Sequence, residues 1–394
     1  MNRRQFLATS IAAGVAVTTR AAEADRKPRV AVIGHTGNGD YGHGLDVVWL
    51  HMPEVELVAV ADAHADGLEK ARQKLKLGRG FADYRQMLAE VKPDIVAVAP
   101  RHVDEHRDMT MAAIEAGARG IYIEKPFCRT PAEADEIIAS ADKGKVKIAV
   151  AHRNRYQPSL PAIERMLKEN AIGQVLEIRM RGKEDARGGA QDLWVLGAHL
   201  LNLATFFGGA PKACTATLFQ DERPVTKADV KEGAEGIGPI AGNAVHARFE
   251  MERGTPVFFD SIVNAGAKGS GFGLQLIGTK GIIDLRFDTE PLAQLLPGNP
   301  FQPGKEPRAW IPISSAGPGQ PEPMADIKVA VSSHLLAARD LLAAIHEDRA
   351  PLCSAADGRT VIEMIMAVFE SHRLNGQRVA WPLTNRQNPL AQWT

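Results

Sequence analysis

Lys125 and His199 are the residues of this sequence with the strongest case for chemistry. Lys125 lies in Glu124-Lys125-Pro126, immediately after the apolar run that begins at Gly120. Open parallel sheets bind ligands at the ends of their strands, and a lysine there can donate to a hydroxyl oxygen and ease removal of its proton. His199 lies in a helical pattern, and its ordinary pKa near neutrality suits proton transfer. Position alone leaves an exposed lysine and a packed histidine as the alternatives.

A glycine-rich segment follows the first apolar run of the sequence. Arg29-Val-Ala-Val-Ile-Gly34 leads into a stretch with five glycines that ends at Gly44, a helix is expected through Leu50, and a second apolar run ends on Asp62. A strand, a glycine-rich turn, a helix and a strand closed by an acid form the first half of a dinucleotide-binding fold. The glycines let a pyrophosphate approach the N–H groups at the helix N-terminus, and Asp62 is expected to accept hydrogen bonds from the adenosine ribose.

Asp62 also predicts which dinucleotide is bound. Its charge would repel the 2′-phosphate of NADP, and the next residues, Ala63, His64 and Ala65, include no arginine to hold one. We therefore expect NAD rather than NADP. The residues predicted to contact the cofactor are Gly34, Thr36, Gly37, Asn38, Gly39, Asp62, Pro100, Glu124 and Lys125.

Apolar runs and helical patterns alternate up to Ala151. Pro93–Ala99 is apolar almost throughout, as expected for a parallel strand buried on both faces. In Thr130-Pro131-Ala-Glu133 a cap residue, a first-turn proline and a glutamate predict the start of a helix. Further helices are predicted at Ala65–Leu75, Asp83–Val91 and Val103–Ala116. The sequence therefore predicts an α/β fold in which residues 25–152 form a doubly wound parallel sheet, a Rossmann domain.

A second, α+β domain is predicted over residues 153–394. Runs with one apolar and one polar face predict strands, and two long helical patterns close the chain. The strands are expected at Gly173–Arg181, Cys214–Phe219, Ala244–Met251, Val257–Val263 and Leu274–Ile277, and the helices at Val331–Ile345 and Thr360–Leu374.

Together, the Gly34 turn, Asp62, Glu124-Lys125-Pro126, the His199 helix and Ile277-Gly-Thr-Lys-Gly281 resemble the glucose-fructose oxidoreductase, inositol dehydrogenase and MocA (Gfo/Idh/MocA) family. The resemblance covers nearly the whole chain after residue 24. It implies an open, mainly antiparallel sheet in the second domain, sugar or cyclitol substrates, a homo-oligomer and an active-site role for Lys125.

The His199 helix departs from the family pattern. Family members commonly carry an aspartate four residues before the histidine and another three residues after it, where this sequence has Val195 and Asn202. Asp192 lies about 10 Å along a helix axis from His199 and cannot be its direct partner, although both can face one substrate. The catalytic residues predicted are Lys125, His199 and Asp192, and Asp192 has a helix N-terminal carboxylate as its alternative.

Substrate contacts are predicted at the domain junction. Arg153, Arg155 and Tyr156 follow the last Rossmann strand and can bind substrate hydroxyls, while a solvated basic linker would look the same. Lys183, Glu184, Asp185 and Arg187 form a polar loop that can shape specificity. No histidine pair has a nameable third ligand, so no metal is expected.

The N-terminus resembles a twin-arginine export signal. Arg3 and Arg4 precede an apolar run, and Ala22-Glu23-Ala24 supplies the small residues of a cleavage site. The run is about ten residues long against the ~20 that span a bilayer, so no membrane anchor is expected. Cleavage near Ala24 predicts a periplasmic or exported protein, and the scarcity of free NAD there predicts a tightly held cofactor.

Composition fits a globular protein with small-molecule ligands. The 47 basic and 47 acidic residues balance, which gives no broad field for nucleic acid or anionic lipid. The three cysteines, Cys128, Cys214 and Cys353, have neither disulfide-framework nor zinc spacing.

Three functions are compatible with these residues. The first is NAD-dependent oxidation of a secondary hydroxyl of a sugar, cyclitol or related polyol, with Lys125 polarising the hydroxyl and His199 accepting its proton. The second is a glycoside hydrolase or lyase that oxidises its sugar transiently. The third is a binding protein that retains the cofactor without turnover, which Val195 and Asn202 favour.

Overall fold

The computed structural model describes residues 26–266, 272–287, 289–302, 304 and 307–393. The predicted export signal, residues 1–24, lies outside them. Two large sheets organise the described chain. The boundary expected at residue 152 falls just after the last strand of the first sheet, which ends at Val150.

The first sheet has the strand order of a dinucleotide-binding fold. Six parallel strands run in the order β3-β2-β1-β4-β5-β6, so the chain starts in the middle and crosses over once. The central strands are buried on both faces because nearly every side chain is apolar. The strands are β1 (Arg29–Ile33), β2 (Glu56–Ala61), β3 (Gly80–Phe81), β4 (Ile95–Val98), β5 (Gly120–Ile123) and β6 (Lys147–Val150).

Four helices connect these strands at the predicted places. They are α1 (Ala65–Leu75), α2 (Tyr84–Val91), α3 (His106–Glu115, after a 3₁₀ turn at Val103–Glu105) and α4 (Pro131–Gly144). The predicted start of α4 is confirmed, since the Thr130 hydroxyl accepts a hydrogen bond from the Glu133 N–H at 3.1 Å. The helix ends at Lys145, which adopts a left-handed backbone.

The prediction of a helix after the glycine-rich segment is wrong. The chain forms consecutive turns from Thr36 onwards and a single 3₁₀ turn at Val48–His51. Gly37, Gly39, Gly42 and Gly44 all have positive φ, which breaks any helical hydrogen-bond ladder. The phosphate site predicted at an α-helix N-terminus is therefore replaced by a looped backbone.

The second sheet is mixed and mostly antiparallel. Its order is β18-β17-β16-β15-β14-β7-β13-β12-β8-β19, with β9 beside β8, and β7 and β13 form its parallel pair. Side chains alternate between buried and partly exposed along β13, as the period-two pattern predicts. The strands are β7 (Val175–Arg181), β8 (Pro211–Gln220), β9 (Arg223–Pro224), β12 (Ala244–Met251), β13 (Val257–Ile262), β14 (Gly273–Gly278), β15 (Gly281–Arg286), β16 (Ala293–Pro297), β17 (Ile311–Ser314), β18 (Gly317–Pro318) and β19 (Val379–Ala380); β10 (Lys231–Glu232) and β11 (Pro239–Ile240) form a separate pair.

Helices of the second domain differ from the expected pattern at two places. The helix expected around His199 consists of a turn at Ala190–Asp192, a π-helical turn at Leu193–Gly197 and a regular helix. His334, with a left-handed backbone, divides the helix expected at Val331–Ile345. The regular helices are α5 (Leu160–Lys168), α6 (Ala198–Gly208), α7 (Ile327–Ser332), α8 (Leu335–Glu347) and α9 (Ala355–Arg373).

The C-terminal helices return to the first sheet. Helix α8 contacts β5 and β6, and α9 contacts α4. The Ile345 side chain of α8 packs directly against Gly120 on β5. A Cβ added at Gly120 would lie 2.4 Å from that side chain, so only glycine fits there without a shift. Cys128, Cys214 and Cys353 are buried and form no disulfide. In the part of the chain that the structure describes, every helix is too short or too polar to cross a bilayer.

Candidate active site

A cavity of about 230 Å³ lies at the carboxyl ends of β5 and β6. The glycine-rich loop, the His199 helix and the segment after β7 meet there. Its lining includes the predicted residues Lys125, His199 and Arg153. The complete lining is His43, Glu124, Lys125, Ala151, Arg153, Asn154, Lys183, Arg187, Leu196, His199, Phe272 and His334.

Lys125 is held by a main-chain carbonyl. Its Nζ donates to the Val195 carbonyl oxygen at 2.9 Å, and the residue is 5% exposed. Val195 lies in the π-helical turn, a rare backbone form that redirects carbonyl groups. The family resemblance leads one to expect an aspartate at this position. Val195 supplies its backbone carbonyl as the acceptor instead. Burial lowers the pKa of Lys125, and the charge of Glu124 opposes that shift.

Glu124 is the buried counter-charge of the site. Its Oε1 accepts from the His43 N–H and from His43 Nδ1, at 3.1 and 2.5 Å. Its Oε2 accepts from the Lys125 backbone N–H at 2.6 Å. Burial alone would raise the pKa of Glu124, but the hydrogen bond from His43 and the nearby charges lower it well below its ordinary value. The carboxylate thus ties the glycine-rich loop to the strand end that carries Lys125.

His199 faces the cavity and, among the described residues, has a histidine rather than a carboxylate as its hydrogen-bond partner. Its Nδ1 lies 3.3 Å from Nδ1 of His152, and the two rings pack edge to face. Burial lowers the pKa of His199 well below its ordinary value and lowers the pKa of His152 to about 3. Both imidazoles are therefore neutral near pH 7, and His199 is in the form that can accept a proton.

Asp192 is buried and lies apart from the cavity lining. It is not among the residues that line the cavity, and its Oδ2 accepts from the Ser261 hydroxyl at 2.6 Å and the Glu184 N–H at 3.1 Å. Burial raises its pKa. These contacts join the segment after β7 to β13, which suits a positioning role, and the catalytic role of Asp192 stays a prediction.

The three residues predicted to contact the substrate lie in different places relative to the cavity. Arg153 lines the cavity. Arg155 lies outside it, where its Nε donates to the Leu352 carbonyl and its guanidinium packs on Phe206. Tyr156 also lies outside, because its buried hydroxyl accepts from the Cys353 N–H at 3.2 Å. Arg155 and Tyr156 thus contact the domain junction, and substrate binding by either stays a prediction.

His334 is a cavity residue that the sequence analysis missed. It is 2% exposed, and its Nδ1 lies 2.6 Å from the Tyr122 hydroxyl. Tyr122 is fully buried, so its hydroxyl proton needs an acceptor, and Nδ1 provides one. Nε2 then carries the remaining proton, and within the described residues it has no hydrogen-bond partner. The Ser332-Ser333-His334 interruption of an apolar helical pattern was the available signal.

Other lining residues were also missed. His43 follows a glycine of the cofactor segment and could have been inferred from it. Asn154 lies in the 3₁₀ turn after β6, whereas Leu196 and Phe272 carry only apolar side chains and gave no chemical signal.

Asp62 lies at the end of β2 as predicted, but the protein's own donors surround it. Oδ1 accepts from the N–H groups of His64 and Thr36, and Oδ2 accepts from Thr36 N–H, Thr36 Oγ1 and the Tyr41 hydroxyl, all at 2.6–3.1 Å. These four donors match the roughly four acceptor sites of a carboxylate. Burial alone would raise the pKa of Asp62, but the bonds from Thr36, His64 and Tyr41 lower it, so the group is charged.

The remaining predicted cofactor residues lie around this loop, outside the cavity lining. The Tyr41 ring covers Gly34, where an added Cβ would lie 2.1 Å from the ring, whereas Gly37 has a positive φ and open space around it. Gly39 packs on the Arg101 backbone, Asn38 Nδ2 donates to Glu105, and the Pro100 carbonyl oxygen lies 2.7 Å from His106 Nε2.

Two features are compatible with a bound dinucleotide: the strand order of the first sheet and the open space around the Gly37 backbone. The ribose contact predicted for Asp62 requires one of its own-chain donors, among them the Tyr41 hydroxyl, to give up its hydrogen bond. Among the described residues, no three histidine, cysteine, aspartate or glutamate side chains are grouped to hold a metal.

Residues 28–152 match the family model described as "Oxidoreductase family, NAD-binding Rossmann fold", GFO_IDH_MocA. D-apiose dehydrogenase of Paraburkholderia graminis is 30% identical over 43% of this chain and 48% of that protein. Levoglucosan dehydrogenase of Pseudarthrobacter phenanthrenivorans is 22% identical over 86% of this chain and 95% of that protein. The chain thus spans about half the length of the apiose enzyme and nearly all of the levoglucosan enzyme.

A solved levoglucosan dehydrogenase, in complex with NADH and levoglucosan, superposes with a TM-score of 0.70 at 21% identity. The superposition covers 90% of this chain and 99% of that structure, so the two share the fold of both domains. Residues 28–152 are therefore similar to the NAD-binding Rossmann domain of the Gfo/Idh/MocA oxidoreductase family.

Proposed function

We propose that this protein is an NAD-dependent oxidoreductase that acts on a secondary hydroxyl of a sugar, cyclitol or related polyol. The observation that carries the proposal is the shared cavity of Lys125 and His199, a buried ammonium and a neutral imidazole at the strand ends of a dinucleotide-binding sheet. The curated relatives support it, because two of them are named as dehydrogenases of apiose and levoglucosan.

Lys125 orients and polarises the substrate hydroxyl. An ammonium has three N–H donors, and the Val195 carbonyl takes one of them, which leaves two for oxygens in the cavity. Glu124 fixes the backbone of Lys125 and keeps a negative charge beside it, which favours the charged ammonium. Donation to the hydroxyl oxygen lowers the cost of removing its proton.

His199 accepts the proton. It is neutral because it is buried, and His152 holds one ring nitrogen at 3.3 Å, which fixes the ring's orientation. Phe287 packs against His199 edge to face and contributes an apolar wall that excludes water. Thr36, Gly37, Asn38 and Asp62 would hold the dinucleotide, whose nicotinamide supplies the hydride acceptor when bound.

Export and tight cofactor retention belong to the same proposal. The two arginines and the apolar run before Ala24 support a twin-arginine route to the periplasm. A protein exported with its nucleotide must regenerate it in place, which favours a cofactor that does not exchange. Mass spectrometry of the natively purified protein tests this, and we expect a stoichiometric NAD or NADH. The homo-oligomer implied by the resemblance stays a prediction that sedimentation would test.

Hydride transfer with purified protein and a sugar panel tests the activity directly, followed at the absorbance of reduced nicotinamide. Oxidation of at least one sugar or polyol is expected, with loss of activity in Lys125→Met. Lys212→Gln is the control, because Lys212 is an exposed lysine of the second domain outside the cavity. A Lys125→Met variant with full activity would refute the assignment.

A second candidate is a binding protein that retains the nucleotide without turnover. It is favoured by the hydrogen bonding of His199, whose ring has His152 and no carboxylate as its partner among the described residues. Tight sugar binding with no change in the nucleotide's oxidation state, across the same panel, would support this candidate.

A further inference from the structure

The π-helical turn at Leu193–Gly197 is the element that holds the Lys125 ammonium. Lys125 Nζ donates to the Val195 carbonyl oxygen at 2.9 Å, and that carbonyl lies in the middle of the turn. Such turns are rare inside helices, and they occur frequently at functional sites. The carbonyl therefore stays where Lys125 needs it only if the surrounding structure keeps the turn in this form.

Strand β13 contacts both ends of this turn. The Ser261 hydroxyl donates to Asp192 Oδ2 at 2.6 Å, which fixes the residue just before the turn. Phe259 packs against Gly197, the last residue of the turn, and a Cβ added to Gly197 would lie 2.9 Å from the Phe259 ring. Phe259 and Ser261 are two positions apart on the strand, so they point to the same side of the sheet. One face of β13 thus holds the turn at its start and at its end.

The contact between Gly197 and Phe259 leaves no room for a side chain. Phe259 is fully buried in the interior of the second sheet, where it pairs with Met180 of β7 and Ala247 of β12. A ring in such a closely packed place has little freedom to move aside. Gly197 has an ordinary helical backbone, with φ of −56°. The glycine is therefore required for its missing side chain and not for a special backbone conformation.

We propose that Gly197 is a positioning residue for the reaction: the lack of a side chain lets the π-helical turn sit against Phe259, and the turn then presents the Val195 carbonyl that orients the Lys125 ammonium. This inference rests on the proposed function, in which Lys125 polarises the substrate hydroxyl. A methyl group at Gly197 would push the turn away from β13 and carry the Val195 carbonyl with it. A displacement of about 1 Å in a catalytic group can reduce the rate about 100-fold.

The Gly197→Ala variant tests this inference by two measurements. A crystal structure of the variant should show the distance from Lys125 Nζ to the Val195 oxygen beyond hydrogen-bond range. Steady-state kinetics, with the best substrate of the sugar panel, should show kcat lower by about tenfold or more, because the ammonium is misplaced. The affinity for NAD should not change, since Gly197 lies in the second domain. Alanine favours a helix more than glycine does, so the variant should fold, and urea unfolding checks this.

The double variant Gly197→Ala/Phe259→Leu should rescue both measurements. Leucine lacks the ring atoms Cε2 and Cζ that an added Cβ would meet, so the turn can return to its place. We expect the contact between Lys125 and Val195 to re-form and kcat to match that of Phe259→Leu alone. This last comparison still decides the matter if Gly197→Ala does not fold. A kcat of the double variant well below that of Phe259→Leu would show that the alanine acts by another route, and would overturn the inference.

Gly208→Ala is the matched control. Gly208 is the last residue of α6, and its added Cβ would lie 3.1 Å from the side chain of Met251, which is flexible and can move aside. This variant should keep the contact between Lys125 and Val195, and its kcat should stay near the wild-type value. A fall in kcat equal to that of Gly197→Ala would show that any alanine in this helix has the effect, and would overturn the assignment of Gly197.

Failure of this inference and failure of the proposed function give different results. If the wild type oxidises a sugar and Gly197→Ala keeps its kcat, with or without the contact, the positioning role of Gly197 is wrong and the oxidoreductase stands. If the wild type oxidises no sugar of the panel, while the contact is lost in Gly197→Ala and returns in the double variant, the oxidoreductase fails and the placement of Lys125 through Gly197 stands.

Discussion

The predicted contact between Asp62 and the ribose of NAD places Tyr41 in competition with the cofactor for that carboxylate. The Tyr41 hydroxyl donates to Asp62 Oδ2 at 2.8 Å, and own-chain donors fill the acceptor sites of that carboxylate. The ribose can therefore bond to Asp62 only after one of these donors leaves, and we predict that the Tyr41 hydroxyl is the one. The Tyr41→Phe substitution removes the competing donor and keeps the ring that covers Gly34.

The expected effect follows from the strength of one hydrogen bond to a charged group. Such a bond contributes about 1.5–3 kcal/mol net. At the lower value, the Tyr41→Phe variant should bind NAD about tenfold more tightly, because binding no longer has to break this bond. The nucleotide-free variant should lose the same ~1.5 kcal/mol of unfolding free energy, so the NAD-bound proteins should be equally stable.

Calorimetric titration of nucleotide-free protein with NAD measures the affinity, and urea unfolding with and without NAD measures the stability. Tyr84→Phe is the matched control, because the Tyr84 hydroxyl has no hydrogen-bond partner among the described residues and lies in the same domain. A Tyr41→Phe variant that binds NAD as weakly as the wild type, or more weakly, would refute the competition.

Three further predictions concern the buried site. Lys125→Met should reduce kcat/KM by about 100-fold or more while NAD still binds, because the proposed role of the ammonium is at the substrate hydroxyl; unchanged kinetics would contradict this. Asp192→Asn should cost about 1–3 kcal/mol of unfolding free energy through the bonds to Ser261 and Glu184, with kcat near the wild-type value. A large loss of kcat at unchanged urea midpoint would instead return Asp192 to catalysis. The pKa of Glu124 is lowered in the folded protein, so its charge stabilises the fold above the ordinary glutamate pKa and ceases to do so as the pH falls through the lowered value. At pH 7 the Glu124→Gln variant should therefore have an unfolding free energy about 3 kcal/mol below that of the wild type. Urea unfolding at a series of pH values should show this difference shrinking only below about pH 4. A difference that does not depend on pH would show that the charge of Glu124 is not responsible.

Much of the fold was predictable because local signals and tertiary packing agree. The first sheet's strands are continuous apolar runs, and α1 occupies the predicted Ala65–Leu75. The cap at Thr130 fixes the start of α4 through its own side chain. Such features depend on residues close in sequence, which a pattern can report.

The glycine-rich loop was not predictable to the same degree. Its composition fits a phosphate-binding turn equally well with or without a following helix. The outcome depends on Tyr41 reaching Asp62 and on His43 reaching Glu124, contacts between residues far apart in the chain. Spacing within the loop carries no information about them.

The candidate site, too, was predictable from the sequence only in part. Lys125 and His199 were predicted from motifs, and both line the cavity. The acceptor for Lys125 is the backbone carbonyl of Val195, and a side-chain pattern cannot reveal a carbonyl. His334 is 212 residues from Tyr122, so their pairing appears only in three dimensions.

The packing of Ile345 into the space above Gly120 limits how this protein can be recombined. A fragment that stops after β6 would leave the outer surface of β5 without its apolar cover and Tyr122 without its hydroxyl acceptor. Chimeras that replace the second domain in order to change the substrate should therefore keep residues 334–347 of this chain together with its nucleotide-binding domain. In its packing, this late helix belongs to the first domain.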